Sequence, residues 1–347
     1  MRREDSRRAQ GKATPCAEKI HSVRTAQVFC AHGAGFLPAF PYLCSPPRKN
    51  GGAHTAMHTT ALRPLRRILT AAAAFLALAA AAQPSPAGRV ARSGQVVLLG
   101  DSNIWLAGDS CDRPHGWPAW FVKELEPEGA RSFARSGATW TSTPATTRNP
   151  QEYTEVLGDD NVIYNQVVRL CMAVDCGVQP APQTIIIGAG TNDTWFRKRR
   201  PQVFAQTVAD AFASTAAGTP AKALTLAAAV RYNCGLLREA FPGARIVLLT
   251  PLQSAAIPEA DIRRAAGIIE GCAGRLGAYC IRLDGDDCLD SSRERMQNVY
   301  TTDGTHTNTA GAQRVGRHVA QRLREILRQE ARTAGSGCDE NGTNDEE

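Results

Sequence analysis

The chain has 347 residues and a formal net charge of +7. That charge does not point to a nucleic-acid partner, because the excess lies at the beginning: residues 1–56 hold nine Lys or Arg against three Asp or Glu, and 57–82 add Arg63, Arg66 and Arg67. The remainder is slightly acidic, and although the length allows two domains, the first part has scattered Pro and Gly and no sustained period.

Residues 1–56 therefore read either as an extension produced by start-site choice, with translation beginning at Met57, or as a genuine basic, disordered extension. From Met57 the character changes. Three arginines precede an apolar run from Ile68 to Ala82 that ends in small residues, the pattern of a secretory signal with cleavage expected near Ala80-Ala81-Ala82. The run is short for a membrane span, so no stable insertion is expected once the signal is removed, and the mature protein is expected to be secreted or periplasmic.

Val96 to Leu99 reads as a buried parallel strand that stops at Gly100 before the small polar residues Asp101, Ser102 and Asn103. Trp117–Leu125 reads as a helix, Arg131–Arg135 as a second strand leading into SGATW, and residues 141–160, rich in Thr, Pro and Asn, as a long loop over the site. Asn161–Ala173 has helical spacing. A third strand, Thr184–Ile187, ends in GAGTND; helices are expected over Pro201–Ala213 and Leu224–Ala240. A fourth strand, Ala244–Leu249, a helix over Glu259–Leu276 and a fifth strand, Tyr279–Leu283, precede a last helix from near Asn308 to about Ala331. The Gly-rich, acidic residues 334–347 read as a solvated tail. No internal repeat and no amphipathic membrane helix is evident.

Alternation of strands and helices predicts one α/β domain over residues 83–333, a three-layer α/β/α flavodoxin-like arrangement with a five-stranded parallel sheet in the order 2-1-3-4-5. Eight of the eleven cysteines follow Met57, an even number that suggests disulfides in an exported chain, with Cys171–Cys176 and Cys280–Cys288 near enough for local pairs; free buried thiols are the rival reading. No CxxC with a matching second pair is present, which argues against a structural zinc site.

In such a sheet the turns after the strands open at one edge, where these folds place their ligands. Ser102 follows strand one, Gly137 strand two, Asn192 strand three, and Asp303 with His306 strand five. Hydrolysis by a serine needs a base for its proton, an acid group to hold that base in one tautomer, and donors for the oxyanion. Asp303-Gly304-Thr305-His306 supplies the base and its partner, while Asn192 offers an amide and Gly137 and Ser102 offer backbone N–H groups. Each element alone has a plainer reading: turn and cap residues for Ser102, Gly137 and Asn192, a helix cap with a surface imidazole for Asp303 and His306, or metal ligation together with His115 or His318.

GDSN at 100–103, the glycine of SGAT, GTND at 190–193 and DGTH at 303–306 together resemble the four blocks of the SGNH hydrolases, the GDSL-type esterases and lipases, over about residues 94–328. The resemblance implies a flavodoxin-like serine hydrolase without cofactor or metal. It implies Ser102 as nucleophile, His306 as base, Asp303 as its orienter, and Ser102, Gly137 and Asn192 as oxyanion donors. Asn103 departs from the Leu of the eponymous motif, and Asp101 and Asp193 read as loop-bracing residues.

Trp105, Trp140 and Trp195 each stand three residues after a motif residue, so they are candidates to line a site for a sugar ring or flat acyl group, or else to pack helices against the sheet. Exported proteins of this resemblance often remove short acyl groups from polysaccharides, which makes a carbohydrate O-acyl esterase the leading expectation. The alternatives are a lipase or thioesterase, and a glycan-binding module that keeps the fold without turnover.

Overall fold

The computed structural model describes residues 93–153, 155–285, 287–289 and 298–336. The expected extension, the signal segment, Cys338 and nearly all of the acidic tail lie outside the described residues.

Five parallel strands form one sheet: β1 (Gln95–Gly100), β2 (Gly129–Ser132), β3 (Thr184–Gly188), β4 (Arg245–Leu249) and β5 (Tyr279–Ile281), in the order β2-β1-β3-β4-β5. Their sequences explain why both faces are covered. Side chains alternate across a strand, so a continuous apolar run needs a core on each side. Val97, Leu99, Ile185, Ile187, Ile246 and Leu248 enter one core, whereas Val96, Leu98, Ile186, Val247, Leu249 and Ile281 enter the other. Val96 to Leu99 are fully buried, each worth about 1.5–3 kcal/mol relative to exposure.

Eight α-helices accompany the described strands: α1 (Ser102–Trp105), α2 (Trp117–Leu125), α3 (Ile163–Asp175), α4 (Thr191–Trp195), α5 (Val208–Ala213), α6 (Leu226–Ala240), α7 (Glu259–Leu276) and α8 (Thr309–Ser336). The first core takes Val167 and Leu170 from α3, Leu226, Val230 and Leu237 from α6, and Ile269 and Cys272 from α7. The second takes Trp117 and Phe121 from α2 and Ala312, Val315, Val319, Leu323 and Leu327 from α8, a stripe at intervals of three and four.

Several boundaries differ from the sequence reading. Strand β2 begins two residues earlier and ends three earlier than expected, because Phe133 and Arg135 leave the ladder while still donating N–H bonds to Leu98 and Gly100. Residues 201–207 form turns, and helix α5 starts only after Thr207, whose hydroxyl and Asp210 make a reciprocal cap. Helix α8 continues to Ser336, past the expected end. The two short helices after β1 and β3 were not anticipated.

The expected local disulfides are not formed: Cys111, Cys171, Cys176, Cys234, Cys272, Cys280 and Cys288 are free thiols. Cys171 lies on α3 and Cys176 caps it, so five residues of helix turn their side chains about 140° apart. Cys280 packs against the first core and Cys288 belongs to the second, on the opposite face of the sheet. Burial pushes the thiols of Cys111, Cys234, Cys272, Cys280 and Cys288 up to about 12, which keeps them protonated. No helix among the described residues is long and apolar enough to cross a membrane.

Candidate active site

At the end of β1, Gly100 and Gly188 lie side by side in register. A Cβ on Gly100 would meet the Gly188 carbonyl oxygen at 2.2 Å, so only glycine permits this approach. The next residue, Asp101, donates its N–H to that same carbonyl at 3.1 Å and caps α1 by accepting from the Asn103 N–H at 3.1 Å. Ser102 thus opens a helix at the carboxyl edge of the sheet, with a side chain shielded from bulk water.

The loop carrying His306 is fastened independently. Thr305 is buried and its hydroxyl pairs with Ser254 at 2.7 Å, the Ala255 N–H donates to the Gly304 carbonyl at 2.7 Å, and an isolated bridge joins Thr301 to Thr307. The Asp303 Oδ1 accepts from the N–H groups of Thr305 and His306 at 3.0 and 2.8 Å, while its Oδ2 lies 2.6 Å from His306 Nδ1. The other ring nitrogen, Nε2, lies 2.9 Å from Ser102 Oγ. Hydroxyl, imidazole and carboxylate, 204 residues apart at the extremes, form one hydrogen-bonded line. Partial burial works to raise the Asp303 carboxyl, but the backbone and ring N–H of His306 and the N–H of Thr305 together outweigh it and hold the group below the ordinary aspartate value. An ionised acceptor on Nδ1 fixes the tautomer that leaves Nε2 free to take a proton.

Gly137 has φ +77, a left-handed conformation, and a Cβ there would sit 2.9 Å from the Val156 Cα. Asn192, the second residue of α4, spends one amide hydrogen on the Ala138 carbonyl at 2.9 Å, which brings it beside Gly137 and leaves its second hydrogen available. Among the described residues, the N–H groups of Ser102 and Gly137 donate to nothing.

Two buried carboxylates hold these loops. Asp193 receives the Trp140 N–H at 2.8 Å, the Thr141 N–H at 2.9 Å and the Thr141 hydroxyl at 2.6 Å, an arrangement that ties the β2 loop to the β3 loop. Burial raises its carboxyl despite those donors. Asp101 is fully buried, and loss of solvent raises its carboxyl to about 7 against the lowering influence of the Asn103 N–H, His306 and the Thr191 hydroxyl.

The three tryptophans separate. Trp195, at the end of α4, keeps 42% of its surface exposed and lies beside the Phe196 ring. Trp105 is partly buried and packs against the second core. Trp140 corrects the expectation: it is fully buried in the first core, with its indole N–H on the Ala189 carbonyl at 3.1 Å, and has no face for a substrate. The reason is local. Trp105 and Trp195 close short helices, whereas the backbone at Trp140 is drawn to Asp193 and its ring turns under the end of β3.

The long loop at 141–160 is a laced structure. Asn165 on α3 accepts from the Asn149 N–H and donates to the carbonyls of Thr147 and Asp160, and Asn161 donates to those of Ser136 and Glu155. Arg135 pairs with Asp109 and Glu152, and Arg169 donates to the carbonyls of Gln151 and Phe133. The sequence reading missed Gln166 on the same helix, whose side chain is buried against Gly100; standing beside Asn165 and three residues before Arg169, it carried no signal that set it apart. No group of three or more His, Cys, Asp or Glu is gathered to hold a metal among the described residues.

Residues 98–314 match the model of the GDSL-like Lipase/Acylhydrolase family. The chain belongs to that family. As a GDSL-like acylhydrolase it is a hydrolase that acts on esters, carried on the sheet order expected of the fold. Similar solved structures include a protein from Lactobacillus plantarum, at 15% identity and TM-score 0.47, covering 67% of this chain and 98% of that one. Another is a possible lipase from Chitinophaga pinensis, at 14% identity and TM-score 0.43, covering 67% and 99%. No curated protein matches the chain.

Proposed function

We propose that this GDSL-like acylhydrolase is an exported serine esterase that removes short O-acyl groups, acetyl above all, from carbohydrates. The observation that carries the reading is the unbroken line Ser102 Oγ, His306 Nε2, His306 Nδ1, Asp303 Oδ2, with contacts of 2.9 and 2.6 Å. Ser102 Oγ attacks the ester carbonyl as its proton passes to His306 Nε2, and the ring, positive for that interval, is held by the Asp303 carboxylate. The carbonyl oxygen becomes an oxyanion facing the N–H groups of Ser102 and Gly137 and the free amide hydrogen of Asn192. Collapse breaks the bond to the alcohol, which leaves with the proton from Nε2. Water repeats the sequence on the acyl-serine, releasing the acid and restoring Ser102.

Trp195 supports the carbohydrate part of the reading, since an exposed indole on the same short helix as Asn192 suits a sugar ring. Residues 57–82 serve in this reading as the export signal of a hydrolase domain spanning 83–333, and the product is secreted or periplasmic. Peptide mapping of the native protein tests that part, since any peptide from before Met57 contradicts initiation there.

The central test is hydrolysis of short-chain p-nitrophenyl esters and acetylated glycans, with Ser102→Ala expected to lower kcat by about 10⁴-fold or more and a chelator expected to change nothing. Trp195→Ala is expected to raise KM for the acetylated glycan a few-fold, on the order of 1 kcal/mol, with kcat for p-nitrophenyl acetate unchanged. Glycan binding without turnover on any ester of the panel overturns the reading in favour of a binding module.

A further inference from the structure

In a β-strand the N–H and C=O of one residue point to the same side, so each residue addresses one neighbouring strand. Gly100 addresses the β2 side, but the pairing of β1 with β2 ends at Leu98 and Ser132. Two residues beyond the end of its partner, Gly100 would therefore present a buried N–H with no strand carbonyl to meet it, and a carbonyl that the segment after β2 reaches only through the Arg135 N–H at 3.1 Å. The side chain of Gln166, from α3, takes the place of that strand. Its Oε1 accepts from the Gly100 N–H at 2.7 Å and its Nε2 donates to the Gly100 carbonyl at 2.8 Å. Both ends of one amide are thus committed to one residue, and the side chain is 1% exposed.

This residue stands two positions before Ser102, and its other side is already closed by Gly188. From these contacts we infer that Gln166 is a positioning residue for catalysis: its amide acts as a one-residue strand that sets the end of β1, and through it the angle at which Ser102 Oγ meets His306. The inference rests on Ser102 being the nucleophile. No shorter or apolar side chain can hold both backbone groups, because the pair needs one acceptor and one donor on a single planar group. Helix α3 also carries Asn165 and Arg169, which fasten the loop at 141–160, so one helix registers both the nucleophile turn and the loop beside Gly137.

Two variants of the full protein test this, read by the rate of covalent labelling with a fluorophosphonate probe and by kcat and KM on p-nitrophenyl acetate. Gln166→Met keeps the length and removes both hydrogen bonds, and is expected to lower kcat and the labelling rate about 10- to 100-fold with KM changed much less. Gln166→Glu keeps the acceptor for the Gly100 N–H but, when ionised, sets an oxygen against the Gly100 carbonyl; protonated, it can donate there again. Burial raises such a carboxyl, and Arg169 along α3, Arg135 whose N–H shares the Gly100 carbonyl, and Asp101 are the charged groups around it. The ratio of Gln166→Glu to the unaltered protein is expected to rise as pH falls from 9 to about 5, while the ratio for Gln166→Met stays flat. The ratio cancels any pH dependence that the two proteins share, and a merely structural loss would not recover with acid.

A folded Gln166→Met variant whose labelling rate stays within about twofold of the unaltered protein overturns the inference. So does a pH-independent ratio for Gln166→Glu, which carries the test if the Met variant does not fold. Labelling that persists in Ser102→Ala overturns the nucleophile assignment itself, a separate failure that the Gln166 variants cannot mimic.

Discussion

The two ends of the sheet handle polar groups in opposite ways. At the amino edge, the first residues of β4 and β5 meet one side chain of the last helix, and the first residue of β3 joins them through Arg245. Arg245 donates to Glu330 and to the Thr184 hydroxyl, Tyr279 donates to Glu330, and Thr184 passes its own hydrogen to the Ser93 carbonyl at 3.0 Å. Each donor there ends on an acceptor of the fold, and the guanidinium beside Glu330 holds that carboxyl below the ordinary glutamate range. At the carboxyl edge the buried carboxylates are spent on loop backbones, whereas Ser102, half of the Asn192 amide and the N–H groups of Ser102 and Gly137 are left for a visitor. Saturation serves stability; incomplete saturation, held rigid from behind, leaves groups free for chemistry.

Substitutions at the two edges should therefore separate activity from stability. The largest effect is expected at the carboxyl edge: Asn192→Ala should lower kcat by about 10²- to 10³-fold with little change in KM. Esterase kinetics check it, and a loss in KM alone would take Asn192 out of the oxyanion site. At the amino edge the sign reverses. Arg245→Ala leaves the Glu330 carboxylate with the Tyr279 hydroxyl but without its ionic partner, and denaturant unfolding should show a loss of about 1–3 kcal/mol while kcat is retained.

The most discriminating test concerns Asp101, which belongs to the carboxyl edge but is buried like a core residue. Its carboxyl lies at about 7 in the folded protein against an ordinary 3.8. Between those values the folded state binds the proton that the unfolded chain releases, so stability falls as pH rises from about 4 to 7. Asp303 has the opposite sign: its carboxyl is depressed, so its contribution is present above the unfolded value and is lost as pH falls through the folded one. Unfolding free energies of Asp101→Asn and the unaltered protein, compared across pH 4 to 8, should diverge in favour of the variant toward the upper end; parallel curves would mean that Asp101 does not titrate in that window.

By itself the sequence determined the sheet and the edge at which the motif residues gather. Runs such as Val96–Leu99 and Ile185–Ile187, apolar at every position, have no stable setting except between two cores, and alternation with helices makes the sheet parallel. The small polar residues Ser102 and Asn192, just after those runs, fall at one edge for the same reason, whereas Gly137, Asp303 and His306, farther from their strands, were legible through the SGAT and DGTH blocks. Tertiary structure alone decided what stands behind them. A buried amide such as Gln166 and an apolar ring such as Trp140 look the same in sequence whichever way they face, because their roles depend on where a neighbouring strand stops and which carbonyl is left unpaired. The cysteines make the same point: Cys280 and Cys288 are neighbours along the chain, yet the sheet lies between them, and only the packed core puts a thiol on one face or the other.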